Sequence, residues 1–199
     1  CCCPSCYTIF FCLFFFFNDT ATTEIYTRSL VGSVQMCIRD RHYNEYIYGS
    51  AEVVGLMCLQ VFTGNDKILF NELIEPARSL GSAFQKVNFL RDIKSDMEER
   101  ERIYLPGVNH AIKIDDENKR NLEKEIEIEF QKALIGIKKL PVGVKLGVYS
   151  AYLYYKGLFK KIKRLKIKEL MNERVRVSNA TKIALFIRSL LEIKILKLT

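Results

Sequence analysis

The sequence is poor in proline and glycine, with only 4 and 10 of these residues in 199. All-β folds need many tight turns, and such turns are built largely from glycine and proline, so the composition disfavours that class. Hydrophobic residues make up 49% of the chain, which is enough for a core, and the length suits one domain or at most two. Helix is therefore the favoured secondary structure.

Cysteine is nearly absent from most of the chain. Six of the seven cysteines lie in the first 37 residues, and Cys58 is the remaining one. A disulfide framework would distribute cysteines through the fold, so this clustering argues against one. The opening run CCCPSCYTIFFCLFFFF has no basic region and no small-residue cleavage site, which makes it a poor signal peptide. It is also shorter than the ~20 residues that span a bilayer.

Residues 1–41 have a simpler explanation at the nucleotide level. NDTATTEIYT (18–27) is the in-frame translation of a flow-cell adapter of short-read DNA sequencing, and VGSVQMCIRDR (31–41) translates a transposase adapter. The phenylalanine run fits a poly-T tract. We therefore expect residues 1–41 to be adapter-derived and to form no domain. A genuine cysteine-rich leader is the alternative, and the evolved domain is assigned to 42–199.

From His42 onward the hydrophobic pattern is helical. Asp66 is predicted to cap a helix, Gly49 and Gly55 to let a neighbouring helix approach, and Pro76 to kink a helix or start a new one. The predicted helices cover 43–62, 67–102, 115–139, 144–162 and 179–198. The first should align Tyr46, Ser50, Val53 and Met57 on one stripe, and the third should bury Leu122, Ile126, Phe130, Leu134 and Ile137. The sequence predicts one all-α domain that is incomplete.

The C-terminal part is strongly basic, with thirteen Lys or Arg against three Asp or Glu between Lys156 and Thr199. No recognised nucleic-acid motif accompanies these charges. They lie among apolar helical residues, which favours an anionic membrane surface or a diphosphate-bearing substrate; a solvated basic face remains the alternative. No membrane span is predicted after His42, so we expect a cytoplasmic protein in peripheral contact with the inner membrane.

A narrow polar strip is the clearest chemical feature. In the stretch FQKVNFLRDIKSDMEERERIYLP (84–106), five polar residues fall within an arc of about 80° on a helix: Gln85, Asn88, Asp92, Asp96 and Glu99. Oxygen ligands one turn apart can hold Mg²⁺, which takes one or two carboxylates together with substrate phosphates. An Asp-x-x-x-Asp pair also occurs by chance on solvated helices, where Lys86, Arg91 and Lys94 would be salt-bridge partners.

The sequence motifs of the whole chain, taken together, indicate a function more specifically than the Asp-x-x-x-Asp pair alone. Four stretches follow one another along the chain: YIYGSAEVVGLM, GSAFQKVNFLRDIKSDMEERERIYLP, GVYSAYLYYKGLFKKIK and ERVRVSNATK. Together they resemble the squalene/phytoene synthase family, bacterial phytoene synthases in particular. The resemblance runs from about Tyr46 to the C-terminus. It implies an isoprenoid synthase-type helical bundle with a central cavity. It also implies two Asp-x-x-x-Asp motifs that hold Mg²⁺, or Mn²⁺ in its place, and the diphosphates of two prenyl substrates.

The resemblance also implies roles for particular residues. Tyr46, Asp92 and Asp96 are the expected catalytic residues, and Asn88 joins the two aspartates as a metal ligand. Diphosphate or substrate binding is expected of Gln85, Asn88, Arg91 and Tyr104, although structural support is the stronger expectation for Arg91 and Tyr104. The tyrosine at position 46 would stabilise a carbocation with its aromatic face.

One departure from the family pattern bears on activity, because no first Asp-x-x-x-Asp motif precedes Tyr46. We therefore expect the parent gene to encode a prenyltransferase that condenses two geranylgeranyl diphosphates to phytoene in carotenoid biosynthesis, and this chain alone to be inactive. A squalene or dehydrosqualene synthase that uses farnesyl diphosphate is an alternative. A non-catalytic family member that acts in assembly or binding is another. We expect no nucleic-acid partner.

Overall fold

The computed structural model describes residues 40–100 and 116–194, with side chains from 43 to 94 and throughout the second range. In chain order the elements are α1 (Asp40–Ile47), a π-helical turn (Tyr48–Glu52), α2 (Val53–Thr63), α3 (Lys67–Arg100), α4 (Asp116–Lys139), α5 (Val142–Lys163), α6 (Ile167–Asn172) and α7 (Asn179–Lys194). Every regular element within these ranges is helical, which confirms the predicted all-α class.

The start of α3 follows from its local sequence. Gly64 takes a left-handed conformation (φ +57°) that ends α2, and the Asp66 side chain accepts a hydrogen bond of 3.0 Å from the backbone N–H of Leu69. This is the predicted N-cap. The helix then continues for 34 residues through Pro76, so the expectation that Pro76 might begin a new helix is wrong.

Small residues bring the long helices together. A Cβ built on Gly55 would lie 2.7 Å from the carbonyl oxygen of Ala77, and one built on Gly136 would lie 2.2 Å from Cβ of Pro76. The α2–α3 and α3–α4 crossings therefore depend on the absence of a side chain at these positions. The prediction for Gly55 is confirmed, whereas Gly49 has nothing within 4 Å and supports no close approach.

The π-helical turn alters which residues the first helical region buries. Ser50 Oγ donates a 2.6 Å hydrogen bond to the carbonyl of Tyr46 within this turn. A π turn shifts the angular position of every later side chain. Of the expected stripe, Tyr46, Ser50 and Val53 are half-buried and Met57 is 64% exposed, so these residues are not the core face. The buried positions are Tyr43, Ile47, Ala51, Leu59 and Thr63.

The core lies between α3, α4 and α5. The predicted α4 stripe is buried, with Leu134 half-buried against the same cluster. Aromatic rings fill the centre: Phe84 stacks on Tyr155 at 3.9 Å, and Phe130 meets Tyr152 edge-on at 5.5 Å. These contacts fix the rotation of α3, and with it the direction of the polar strip.

Two expectations about helices need correction. The short helix α6 was not predicted, and α5 begins two residues earlier than expected. By length and composition alone, the run Tyr43–Thr63 could also cross a membrane, contrary to the expectation of no such segment after His42. Gly55 packs closely against α3 within this run, but only 22% of the apolar window is buried in the fold. Residues 195–198, expected to end the last helix, lie outside the described part.

Candidate active site

The described members of the polar strip, Gln85, Asn88 and Asp92, lie beside the core rather than in bulk solvent. Val87, Leu90 and Ile93 are almost completely buried, and they hold this helix against α4 and α5. Asp92, one position from Ile93, is only 5% exposed. A buried carboxylate needs charged or hydrogen-bonding partners to offset its lost hydration.

Two arginines supply those partners. Arg91 binds both carboxylate oxygens of Asp92, with Nε 3.0 Å from Oδ1 and Nη2 2.7 Å from Oδ2. Arg174 adds a third hydrogen bond, with its Nε 2.9 Å from Oδ1. One buried negative charge is thus shared by two positive charges. The cluster of Arg91, Asp92 and Arg174 carries a net positive charge, which suits an anionic ligand.

Sequence reasoning did not identify Arg174. It lies 82 residues after Asp92, in the segment between α6 and α7, where Val175 and Val177 are buried. These two valines anchor the segment, while Arg174 is half-buried and Arg176 is exposed. The motif ERVRVSNATK contributed to the family resemblance, but nothing in it showed which arginine would reach α3.

Arg91 remains charged at this depth. Burial alone would lower the pKa of its guanidinium, but the hydrogen bonds and the negative charge of Asp92 raise that pKa above its ordinary value. Arg91 is therefore a permanent cation in a largely desolvated position. A charge of this kind interacts more strongly with a phosphate group than one exposed to water.

Asn88 lies one turn before Asp92 and contributes a second oxygen. Its Oδ1 is buried and has no hydrogen-bond partner among the described residues. An unsatisfied buried carbonyl oxygen is costly in a folded protein and commonly marks a place where a ligand, ion or water binds. Asn88 and Asp92 together present the hard oxygen donors that Mg²⁺ prefers.

The remaining predicted site residues divide into three groups. Tyr46 of α1 is half-buried, with its ring centre 5.9 Å from that of Phe89 on α3. Gln85 is half-buried on α3, one turn before Asn88. The Asp96 side chain and all of Tyr104 lie outside the described residues, as does the Glu99 side chain.

A second polar cluster lies between α3 and α4, away from Asp92. Lys86 is buried and pairs with Glu125 at 3.1 Å and with Glu129 at 2.7 Å, while Ser82 donates to Glu129 at 2.8 Å. An open cleft of about 430 Å³ reaches Ser82, Lys86 and Glu129. Neither Asn88 nor Asp92 lines this cleft. Lys86 with its two glutamates leaves a surplus of negative charge, whereas the Asp92 cluster has a surplus of positive charge and is the one that suits an anion.

Several known proteins are similar to this chain in sequence. Residues 33–113 match the family model described as squalene/phytoene synthase, a range that contains Asn88, Arg91 and Asp92. The 15-cis-phytoene synthase of Pantoea ananas is 30% identical over 149 residues, which cover 65% of this chain and 47% of that protein. A 15-cis-phytoene synthase of Enterobacter agglomerans is 30% identical over 131 residues, 59% of this chain and 43% of that protein.

The chain is similar to the squalene/phytoene synthase family. Its fold resembles that in the crystal structure of a dehydrosqualene synthase in complex with ligand, with a TM-score of 0.62 and 22% identity. That likeness covers 81% of this chain and 60% of the other, and it assigns the isoprenoid synthase-type helical fold. The chain spans about half the length of the curated family members it matches.

Proposed function

We propose that this chain is part of a prenyltransferase that condenses two geranylgeranyl diphosphates head to head, giving phytoene for carotenoid biosynthesis. The observation that carries the proposal is the Asp92 carboxylate held between Arg91 and Arg174, one turn from an unpartnered Asn88 oxygen. Such a cluster combines donors for a diphosphate with acceptors for a cation. Both are needed where a diphosphate departs from a prenyl chain.

The arginines bind the diphosphate in this proposal. A guanidinium forms paired hydrogen bonds with phosphate oxygens as readily as with a carboxylate. When the substrate enters, Arg91 and Arg174 transfer part of their hydrogen bonding from Asp92 to the diphosphate. Negative charge grows on the diphosphate as its bond to carbon breaks, so these fixed cations stabilise the transition state more than the bound substrate.

The donor set fits a divalent cation. Asn88 Oδ1 has an unused acceptor site, and Asp92 regains acceptor capacity as the arginines turn to the diphosphate. We propose that Asn88, Asp92 and Asp96 hold Mg²⁺, with Mn²⁺ as a substitute. When bound, the cation would supply positive charge beside the departing diphosphate.

Tyr46 has a separate proposed role. Its ring is half-buried beside Phe89, at the junction of α1 and α3. The face of an aromatic ring attracts a cation within about 6 Å of its centre. We propose that Tyr46 stabilises the carbocation that remains when the diphosphate leaves, and that Gln85 and Tyr104 contact the substrate.

Binding by the 199-residue chain tests the proposed site directly. Titration calorimetry with the unreactive S-thiolo analogue of geranylgeranyl diphosphate, in Mg²⁺, should detect binding that weakens about tenfold or more in Arg174→Gln, because one charge-assisted hydrogen bond is lost. Arg176→Gln is the matched control, since this arginine is two positions away on the same segment and exposed. Equal affinity of the two variants would refute the role of Arg174.

Product analysis of the full-length gene tests the substrate. Phytoene, with forty carbons, should form from geranylgeranyl diphosphate, and the matched phytoene synthases favour that outcome. A thirty-carbon product from farnesyl diphosphate would replace the proposal with a squalene or dehydrosqualene synthase. A full-length protein that forms neither product would be a non-catalytic family member.

A further inference from the structure

The last described helix, α7, has an apolar face that nothing in the described structure covers. Ile183, Ile187 and Leu191 are 56%, 50% and 51% exposed. Their spacing of four residues aligns them on one stripe of the helix. Large apolar side chains exposed singly are common, but a contiguous stripe of them indicates a binding surface.

The opposite face of α7 is well packed, so the exposure does not come from a detached helix. Ser189 is completely buried and shares a 2.7 Å hydrogen bond with Ser150 of α5. A Cβ built on Gly157 would lie 3.3 Å from Leu185, which shows how closely the helices approach. The orientation of α7 is therefore fixed by its contact with α5, and the apolar stripe faces outward.

Cations border the stripe. Lys194 is exposed and falls on the stripe itself by helical spacing. Arg188, which pairs with Glu192 at 2.7 Å, lies at its edge with 61% of its side chain exposed. On the partner helix α5, Lys156 and Lys160 are exposed. The region from residue 156 onward carries thirteen cations against three anions. An apolar stripe with basic flanks is the pattern of helices that lie in the headgroup region of anionic membranes.

A second exposed apolar patch provides a contrast. Met57 and Val61 of α2 are 64% and 76% exposed, and Ile68 at the start of α3 is 84% exposed. Between residues 53 and 68 there is one cation, Lys67, and one anion, Asp66. This patch has no net charge to attract an anionic surface. The charge distribution therefore singles out α7 for such a partner.

We propose that the outward face of α7 docks on an anionic lipid bilayer. Ile183, Ile187 and Leu191 enter the boundary between headgroups and acyl chains, and the flanking lysines contact lipid phosphates. This inference depends on surface composition alone and is independent of the proposed catalytic function. It also assigns a specific surface to the peripheral membrane contact expected from the basic sequence.

Vesicle co-sedimentation of the full 199-residue chain tests the proposal. The chain should bind vesicles of phosphatidylcholine with about 30% phosphatidylglycerol more tightly than pure phosphatidylcholine, and added salt should weaken binding. The double substitution Ile187→Gln/Leu191→Gln should lower the partition coefficient about tenfold or more, because two apolar side chains no longer enter the membrane. Lys160→Gln/Lys194→Gln should reduce binding only to the anionic vesicles.

The matched control is Met57→Gln/Val61→Gln, which removes two exposed apolar side chains from the uncharged patch. This variant should bind anionic vesicles like the unaltered chain. The proposal would be overturned if the two double variants, Ile187→Gln/Leu191→Gln and Met57→Gln/Val61→Gln, lost vesicle binding equally. It would also be overturned if the unaltered chain bound neutral and anionic vesicles equally. Gel filtration gives a further test. If Ile187→Gln/Leu191→Gln converts a dimer to a monomer without changing vesicle binding, the proposal is overturned, because this face of α7 would then join two copies of the chain.

Discussion

The carboxylates of Asp92 on α3 and Glu129 on α4 are both shielded from water, but they differ in how many of their oxygens accept hydrogen bonds. Asp92 accepts three hydrogen bonds from two guanidiniums, and both of its oxygens are used. Oε1 of Glu129 accepts hydrogen bonds from Lys86 and Ser82, while Oε2 is buried and has no hydrogen-bond partner in the described region. At Glu129 burial outweighs the nearby lysine, so the pKa of this carboxyl is raised.

The raised pKa of Glu129 predicts a pH dependence of stability. The folded protein binds this proton more tightly than the unfolded chain, so the group's contribution to the free energy of unfolding is greatest below the ordinary value of 4.5. It falls as the pH rises through the higher folded value. The Glu129→Gln variant has no carboxyl at this position, so it lacks this pH-dependent loss of stability. The difference in unfolding free energy, unaltered chain minus variant, should therefore decrease between about pH 4.5 and 7.

Urea unfolding at several pH values measures this difference. Glu72→Gln is the control, because Glu72 pairs with Lys139 at an exposed position and its pairing adds little stability. The unfolding free energy of Glu72→Gln should stay close to that of the unaltered chain. If the unfolding free energy of the unaltered chain minus that of Glu129→Gln instead increased with pH, burial could not be the dominant influence on the pKa of Glu129.

Helical periodicity was sufficient to place Asn88 and Asp92 on one strip, because both lie on the same helix. Val87, Leu90 and Ile93 of the same helix are buried in the core. Partners from distant segments could not be predicted in this way. The Arg174–Asp92 contact depends on the packing of α6 and α7 against α3, which the sequence of either segment alone does not determine.

At the scale of whole elements, the close crossing of α3 and α4 is the most constrained contact. Gly136 of α4 faces the ring of Pro76 on α3, where an added Cβ would lie 2.2 Å from Pro76 Cβ and 2.9 Å from its Cγ. The proline ring is rigid, so the strain could be relieved only by separating the helices. Lys86 and Glu129 also connect α3 to α4 and would be displaced with them.

Gly136→Ala should therefore destabilise the fold by about 1–3 kcal/mol, the usual cost of overpacking. Gly143→Ala is the matched control, since Gly143 lies in the first turn of α5 and an added Cβ there meets nothing within 4 Å. That substitution should be neutral or stabilise by up to about 1 kcal/mol, because alanine favours helix. Denaturant midpoints compare the two, and equal effects would show that the crossing tolerates a side chain.

The elements themselves were predictable wherever the sequence marks their ends. Asp66 marks the start of α3, whereas α5 begins directly after Pro141, two residues earlier than expected. Two features were not predictable from local rules. Pro76 lies inside a continuous helix because tertiary packing with α4 accommodates it, and the π turn at 48–52 changed the buried face of the first helical region.

At the scale of the whole molecule, basic residues occur in two separate places. The formal net charge is +8. Arg91 of the Asp92 cluster is buried and Arg174 is half-buried, whereas four cations of α5 and α7 are exposed: Lys156, Lys160, Arg188 and Lys194. An internal cluster selects a small anion that can enter, whereas an outer face meets an extended anionic surface. Substitutions on the two surfaces should therefore act independently.

Ligand binding at the Asp92 cluster should be visible as stabilisation of the entire fold. Pyrophosphate with Mg²⁺, at about 100 times its dissociation constant, should add about 2.7 kcal/mol to the unfolding free energy and raise the melting temperature by several degrees. Pyrophosphate alone should give a smaller shift, because the arginines remain shared with Asp92. Thermal denaturation followed by circular dichroism measures both shifts.

Asp92→Asn separates the two contributions. The substitution frees Arg91 and Arg174 from a competing carboxylate, so the shift with pyrophosphate alone should match or exceed that of the unaltered chain. The increment due to Mg²⁺ should disappear, because an amide is a far weaker ligand than a carboxylate. Glu72→Gln should retain both shifts, since Glu72 is exposed and pairs only with Lys139 in the described structure. A full Mg²⁺ increment in Asp92→Asn would remove Asp92 from the proposed metal ligands.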